Sequence, residues 1–245
     1  MREACLAVLV SCEGCHNAQA PAVAPETGTA PIAVASSSGP PSPSAAPTSS
    51  AAPPVRFTFD TDATDAPPKG FSFGTTGKAK AGRWIVRAEK DAPSGPNVLV
   101  QVDADDTDHR FPVAVVDAPV LADARVSVRC KPLSGKVDQA CGLVLRYQDA
   151  NNYFITRANA LEGNVRLYFV KNGERKQLET YSGEVKGGVW HDYRFEVRGD
   201  HLEVTWDGKK VLDHHDSTFT TAGKAGVWTK ADSVTAFDDL TIEAL

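Results

Sequence analysis

The stretch from Gly142 to Tyr168, GLVLRYQDANNYFITRANALEGNVRLY, decides the fold. Read with the two-residue period of a β-strand, it divides into three short runs, each with an apolar face. In Gly142–Tyr147, Leu143, Leu145 and Tyr147 share one side, and Val144 and Arg146 the other. In Tyr153–Asn159 one face carries Tyr153, Ile155, Arg157 and Asn159. In Asn164–Val170, Val165, Leu167 and Phe169 point to a core while Asn164, Arg166 and Tyr168 face away. A turn centred on Leu161–Glu162 sets Asn159 opposite Asn164 and Arg157 opposite Arg166. Two directly opposed guanidinium groups repel, so an acid is expected between them: Glu162, Asp149, another carboxylate folded over the sheet, or one brought by a ligand. An arginine on each of three successive strands, with Tyr and Asn around it, suits a polar, planar ligand such as a sugar. Guanidinium donates in a plane, and Tyr offers a face for stacking. A solvated outer face is the plainer alternative.

The same alternation runs outward in both directions. Strand-like runs precede these three at Arg56–Asp60, Arg83–Ala88, Asn97–Val102 and Arg125–Lys131. They follow at Glu174–Leu178, His191–Arg198, His201–Trp206, Lys209–Asp213, Ala225–Thr229 and Ala236–Glu243. None of them shows a sustained helical period. Asn172-Gly173 and Asp207-Gly208 are hairpin turns, since both residue types accept the positive φ of a type I′ turn. Arg198-Gly199-Asp200 spells a cell-adhesion tripeptide, yet it lies between two alternating runs, where Gly and Asp make the turn. So many short strands in one continuous region predict a single all-β domain over residues 55–245, a two-sheet sandwich or jelly roll. Trp84, Trp190 and Trp206 alternate with apolar neighbours and belong to the core, whereas Trp228, beside Lys230 and Asp232, is the tryptophan expected at a site.

Pairing Arg125–Lys131 with Gly142–Tyr147 across the Pro132–Gln139 loop sets Val128 opposite Leu143 and Cys130 opposite Cys141. Opposed Cβ atoms of neighbouring strands lie about 4.5–5.5 Å apart, a gap that local twist narrows to disulfide reach. A Cys130–Cys141 disulfide is therefore expected in an exported chain. Two buried thiols packing as small hydrophobes are the alternative.

The 245 residues carry a net charge of −5, which leaves no electrostatic footprint for nucleic acid. No apolar run approaches the roughly 20 residues of a membrane-spanning helix. Residues 17–54 are almost entirely Ala, Pro, Ser, Thr and Gly. With so little large apolar surface to bury they cannot offset the entropy of ordering, and they read as a disordered linker. Ahead of them, Leu9-Val10-Ser11-Cys12 resembles the bacterial lipoprotein cleavage motif, in which Cys12 becomes the lipidated first residue. Residues 1–16 thus read as a signal or lipoprotein leader, although Glu3 and the short apolar run depart from that pattern. Cys12-Glu13-Gly14-Cys15-His16 also has the C-x-x-C-H form of covalent haem attachment. A structureless linker follows it and the sole methionine is Met1, so a processed leader is the better reading. An extracytoplasmic location is expected, in the cell envelope or secreted, with any membrane contact made through the N-terminal lipid.

The runs Gly142–Asp149, Asn152-Tyr153, Arg157–Glu162 and Asn164–Tyr168, with Trp190-His191, Gly226–Ser233 and Phe237-Asp238-Asp239, resemble the concanavalin A-like lectin/glucanase superfamily. Within it they are similar to bacterial 3-keto-disaccharide hydrolase-like (family 16 glycoside hydrolase-like) domains. The resemblance implies a concanavalin A-like jelly-roll sandwich of two antiparallel sheets with carbohydrate held on the concave face. With the strand faces above, it nominates Arg146, Tyr153, Arg157, Asn159, Asn164, Arg166, Tyr168, Trp228 and Lys230 as ligand-binding residues. The Glu-x-Asp-x-x-Glu motif of the superfamily's glucanases is absent: Glu89-Lys90-Asp91 lacks the second glutamate.

A keto-sugar elimination needs a base and takes a divalent metal in some schemes. Glu162, Asp149, His191 and the Asp213-His214-His215-Asp216 cluster are the candidates, each with a structural alternative in a turn or at a strand start. Asp238, Asp239 and Asp216 are candidate ligands for a structural Ca²⁺, which prefers clustered carboxylate oxygens. Three functional readings result. The first is an exported carbohydrate-binding jelly roll. The second is a glycoside hydrolase or lyase acting on 3-keto-disaccharides with the same face. The third is a cell-surface protein-interaction module.

Overall fold

The structure, a computed structural model, describes residues 52–245. Cys12, the leader at 1–16 and residues 17–51 of the linker lie outside the described residues. The described chain is all β and forms two antiparallel sheets. The first sheet runs, in spatial order, β13 (Lys209–His215), β12 (His201–Trp206), β11 (His191–Arg198), β6 (Ala124–Ser134), β15 (Val234–Ala244), β4 (Asn97–Gln101) and β3 (Trp84–Ala88). A short strand, β1 (Val55–Phe57), adds to β15. The second runs β10 (Glu174–Ser182), β9 (Asn164–Lys171), β8 (Asn152–Asn159), β7 (Ala140–Asp149), β14 (Lys224–Trp228), β5 (Phe111–Val116) and β2 (Phe71–Thr76).

Alternation decides what lies between the sheets. Val126, Val128, Phe195, Val204, Phe237 and Ile242 of the first sheet meet Leu143, Leu145, Phe154, Val165, Leu167 and Val227 of the second in one buried cluster. The two expected hairpin turns are present with the expected backbone: Asn172 and Gly173 have φ of 53° and 82°, Asp207 and Gly208 of 46° and 77°. Gly199 turns β11 into β12, the role foreseen for it between Arg198 and Asp200.

Cys130 and Cys141 form a disulfide, with Cα atoms 6.4 Å apart. The expected pairing of their strands is corrected. β6 pairs with β11 and β15, and β7 with β8 and β14, so the two cysteines face each other from different sheets. The bond crosses the core rather than linking neighbours. Two further strands, β2 and β5, were not expected. Every residue of β5 (FPVAVV) is buried, so it shows no polar alternation, and Pro112 disguises it further.

Candidate functional site

The face of the second sheet turned away from the inter-sheet core carries its own buried cluster. It contains Phe111 and Val113 of β5, Val144 of β7, Tyr153 and Ile155 of β8, Tyr168 and Val170 of β9, and Trp228 of β14. The register is the one read from the sequence, with Arg157 opposite Arg166 and Asn159 opposite Asn164. The acid between the arginines is Glu162. Arg157 donates to both its oxygens, at 3.1 and 2.9 Å, and Arg166 lies 3.1 Å from Oε2. Asn159 and Asn164 also donate to it, at 3.1 and 3.0 Å. Burial pushes the Glu162 carboxyl up, but the hydrogen bonds from Arg157 and Asn164 and the charges of Arg157 and Arg166 outweigh it, and the group sits at about 2.

A second acid completes this network from a loop. Asp138, fully buried, lies 3.4 Å from Arg157 and 3.1 Å from Lys230, and accepts from Asn159 at 2.9 Å. Its loop is fastened because the amides of Lys136, Val137 and Asp138 donate to Asp232 at 2.6, 3.1 and 3.0 Å. Burial raises the Asp138 carboxyl more than Arg157 and Lys230 lower it. Lys230 is shared with Asp108. Arg157, Asp138 and Asn159 thus find their partners within the network, apart from the buried Arg157 Nε, and Glu162 and Arg166 open the cluster to solvent.

Beside it lies an aromatic floor. Trp228 stacks on Phe111 with ring centroids 5.4 Å apart and donates from Nε1 to the Tyr153 hydroxyl at 3.3 Å. Burial pushes that hydroxyl up to about 12, so it stays protonated at neutral pH. Gly142 makes room for the indole: a Cβ there would meet the Trp228 ring at 2.8 Å. Across the floor reaches Arg175, from β10. Its guanidinium carbon is 4.6 Å from the ring centroids of both Phe111 and Tyr168, within cation–π range. Arg175 borders a cleft of about 640 Å³ whose other walls are Gly77, Lys78 and Ala79, then Thr107 and His109, then Gly173 and Glu174. Fully buried Arg110 ties those walls together. It donates to the carbonyls of Lys80 and Ala231 at 2.7 and 2.8 Å and to Asp103 at 3.0 Å.

The remaining expected site residues lie elsewhere. Arg146 has left the face: its φ is 49°, at a register shift between β7 and β8, and its side chain donates to the carbonyls of Ala122, Phe219 and Gly199. Asp149 caps its own hairpin, accepting from the Asn151 amide at 2.7 Å and from Asn152 at 3.0 Å. His191 belongs to the first sheet, stacked on Trp206, with one ring nitrogen 2.8 Å from Asp207 and the other 2.9 Å from the Lys186 carbonyl. Asp238 accepts from the Ser94 amide at 3.0 Å and Asp239 pairs with Arg56 at 2.7 Å, while Asp216 accepts from the Thr218 amide. Among the described residues, ligating atoms converge instead at His201, Glu203 and Asp213, within 4.8 Å of one another, where Lys210 already lies 2.8 Å from Glu203.

Arg175, Phe111, His109 and Asp138 escaped the sequence reading. The alternation Tyr168, Val170, then Asn172-Gly173 and back to Arg175 would have found the first, since a tight hairpin sets Arg175 opposite Val170. Phe111 and His109 were hidden with β5.

The two sheets and their connections define an all-β jelly roll of concanavalin A-like type. Similar solved structures include carbohydrate-binding module CBM66 from Bacillus subtilis, at 21% identity and a TM-score of 0.54 over 70% of this chain and 95% of that one. Lectin II from Ulex europaeus is similar at 12% identity and a TM-score of 0.54, over 78% of this chain and 99% of the lectin. Domain 4 of AbnA, a GH43 extracellular arabinanase from Geobacillus stearothermophilus solved with arabinotriose, is similar at 15% identity and a TM-score of 0.50, over 77% and 90%. At such identities the likeness is one of fold. No curated protein matches the sequence. Residues 61–243 match the family described as the 3-keto-alpha-glucoside-1,2-lyase-like domain, and the chain belongs to that family.

Proposed function

We propose that the protein is a carbohydrate-recognising domain, exported from the cytoplasm, whose sugar site is the cleft at Arg175 and Phe111. One observation carries the reading: a guanidinium lies against Phe111 and Tyr168 at the rim of a cleft large enough for one or two sugar rings. Sugars are recognised by apolar ring faces stacked on aromatics and by hydroxyls bonded to fixed polar groups, and Arg175, Thr107, His109 and Glu174 supply the latter. The Arg157–Glu162–Asp138 network serves this site as its frame. The family match and the carbohydrate-binding proteins among its structural neighbours support the same reading. A glycan-array screen of the full chain, repeated with Arg175→Ala, tests it. Binding by wild type that falls at least severalfold in the variant is expected. A set of glycans bound equally by both, or no glycan bound by folded protein, refutes it.

A second reading is favoured by the family match and by the titratable groups at the cleft. A 3-keto-glycoside carries an acidified proton on the carbon beside its ketone. A base removes that proton, its electrons form the double bond between carbons 1 and 2, and the glycosidic oxygen leaves with its electron pair. Glu162, held at about 2, is too weak a base for this proton. Asp149 and His191 are committed elsewhere. On this reading the base is His109 or Glu174, both exposed at the cleft. The product is a conjugated enone, so an absorbance rise on adding a 3-keto-glucoside, lost in His109→Ala or Glu174→Gln, is the expected outcome. A flat trace from wild type refutes it.

A further inference from the structure

Four arginines stand on the second sheet, and three of them have a carboxylate: Arg146 has Asp123 at 3.3 Å, Arg157 has Glu162 and Asp138, and Arg166 has Glu162. Arg175 has none within ion-pair distance among the described residues, and its buried Nη1 finds no hydrogen-bond acceptor. Its neighbours are the Phe111 and Tyr168 rings and, at 6.0 Å, the Trp228 ring. Burial, with the nearby charge of Arg157, lowers its affinity for the proton more than Tyr168 and the Asp138 carboxylate, which lies beyond ion-pair distance, raise it.

A guanidinium removed from water without an anion is costly, and proteins normally pair it. The two rings hold its plane fixed, and a fixed plane suits bidentate capture of a carboxylate. The cleft that Arg175 borders is also lined by Lys78 and His109, against a single acid, Glu174. Asp108, beside His109 in the same loop, is engaged by Lys230.

Resting on the carbohydrate-binding reading, we infer that the cleft selects sugars that carry a carboxylate, such as hexuronic acid residues, with Arg175 receiving the carboxylate and Lys78 adding charge beside it. Neutral sugars lack the anion and leave the guanidinium unpaired, so the site discriminates by that one group.

Isothermal titration of the full chain with oligogalacturonate and with the same oligomer carboxyl-reduced to neutral galactose residues tests this. Wild type is expected to bind the acidic oligomer about tenfold more tightly than the neutral one, with an affinity that falls as salt rises. Arg175→Gln is expected to lose that preference, binding the two oligomers equally weakly, and Arg175→Lys to keep part of it. Near-ultraviolet circular dichroism of each variant checks that the aromatic floor is intact. Equal binding of both oligomers by wild type overturns the carboxylate inference and leaves the sugar site standing. Binding of the acidic oligomer that Arg175→Gln does not weaken overturns the assignment to Arg175. Failure of folded wild type to bind either oligomer, or any glycan on an array, overturns the carbohydrate reading itself.

Discussion

Arg157 is the residue on which the outer face of the second sheet depends. Its side chain is 2% exposed and sits between Glu162 and fully buried Asp138. Replacing it by Met keeps much of the volume but strands Asp138 with Lys230 as its remaining cation, so a loss of about 3 kcal/mol in urea denaturation is expected. An unchanged midpoint would show that the network is held by its asparagines instead. Glu162 gives a pH signature. Its carboxyl falls from 4.5 to about 2 on folding, so the stability it contributes is fully present above about 4.5 and is lost as pH drops through 2. Asp138, raised by burial and also by the charge of Glu162, contributes the opposite slope, so the difference between wild type and Glu162→Gln reports Glu162 together with its coupling to Asp138. That difference is expected to shrink between pH 4.5 and 2, and solvent at the partly exposed Glu162 keeps it small. The opposition of Arg157 and Arg166, and the need for an acid between them, were legible because strand pairing and like-charge repulsion are local rules. The departure of Arg146 was not, because it follows from a left-handed residue at a bulge, stabilised by carbonyls at Ala122, Phe219 and Gly199 that are remote in sequence.

At the level of strands, the sequence separates what alternates from what does not. Strands with one core face and one polar or mixed face, such as β11 with its strictly alternating burial, announce themselves. β5 has no wet face, and β2 is interrupted by Gly74, so both were hidden together with Phe111 and the cleft wall they carry. The disulfide shows how a pairing rule reaches the right bond by the wrong route. Cys130 and Cys141 share the inward parity of their strands, which the sequence records, but whether those strands are neighbours or face each other across the core depends on the connections. The bond joins residues 11 apart in the sequence and ties the two sheets together. Reducing it, or changing both cysteines to alanine, is expected to cost about 3 kcal/mol through the freed unfolded chain. An equal stability of oxidised and reduced protein in urea would mean that the sheets are held by their apolar faces alone.

At the scale of the whole molecule, family resemblance and physical integrity draw different boundaries. The family match begins at residue 61, yet the fold reaches further back. β1 pairs Val55 with Ile242 and Phe57 with Leu240, and Arg56 meets Asp239 at 2.7 Å. Phe57 sits edge-on to Phe71 at 4.9 Å, linking the two sheets at their margin, and Phe59 is buried in the shared core at 3% exposure. Asp60 accepts from the Asn97 amide at the start of β4. A chain beginning at residue 61 loses all of this and uncovers part of β15, which lies between β6 and β4 in the first sheet. A chain beginning at residue 52 keeps it. The shorter chain is therefore expected to melt roughly 10 °C below the longer one, since removing a buried Phe alone costs about 3 kcal/mol or more and a domain of this size loses about 2–4 °C per kcal/mol. The chain from 52 is expected to melt with the full chain in one cooperative transition, because the two sheets share one core and neither can unfold without exposing the other's apolar face. Differential scanning calorimetry of the three forms decides it. Equal melting of the chains from 52 and 61 would make β1 an ornament of the sandwich, and a lower melting point for the chain from 52 than for the full chain would place residues before 52 within the folded unit.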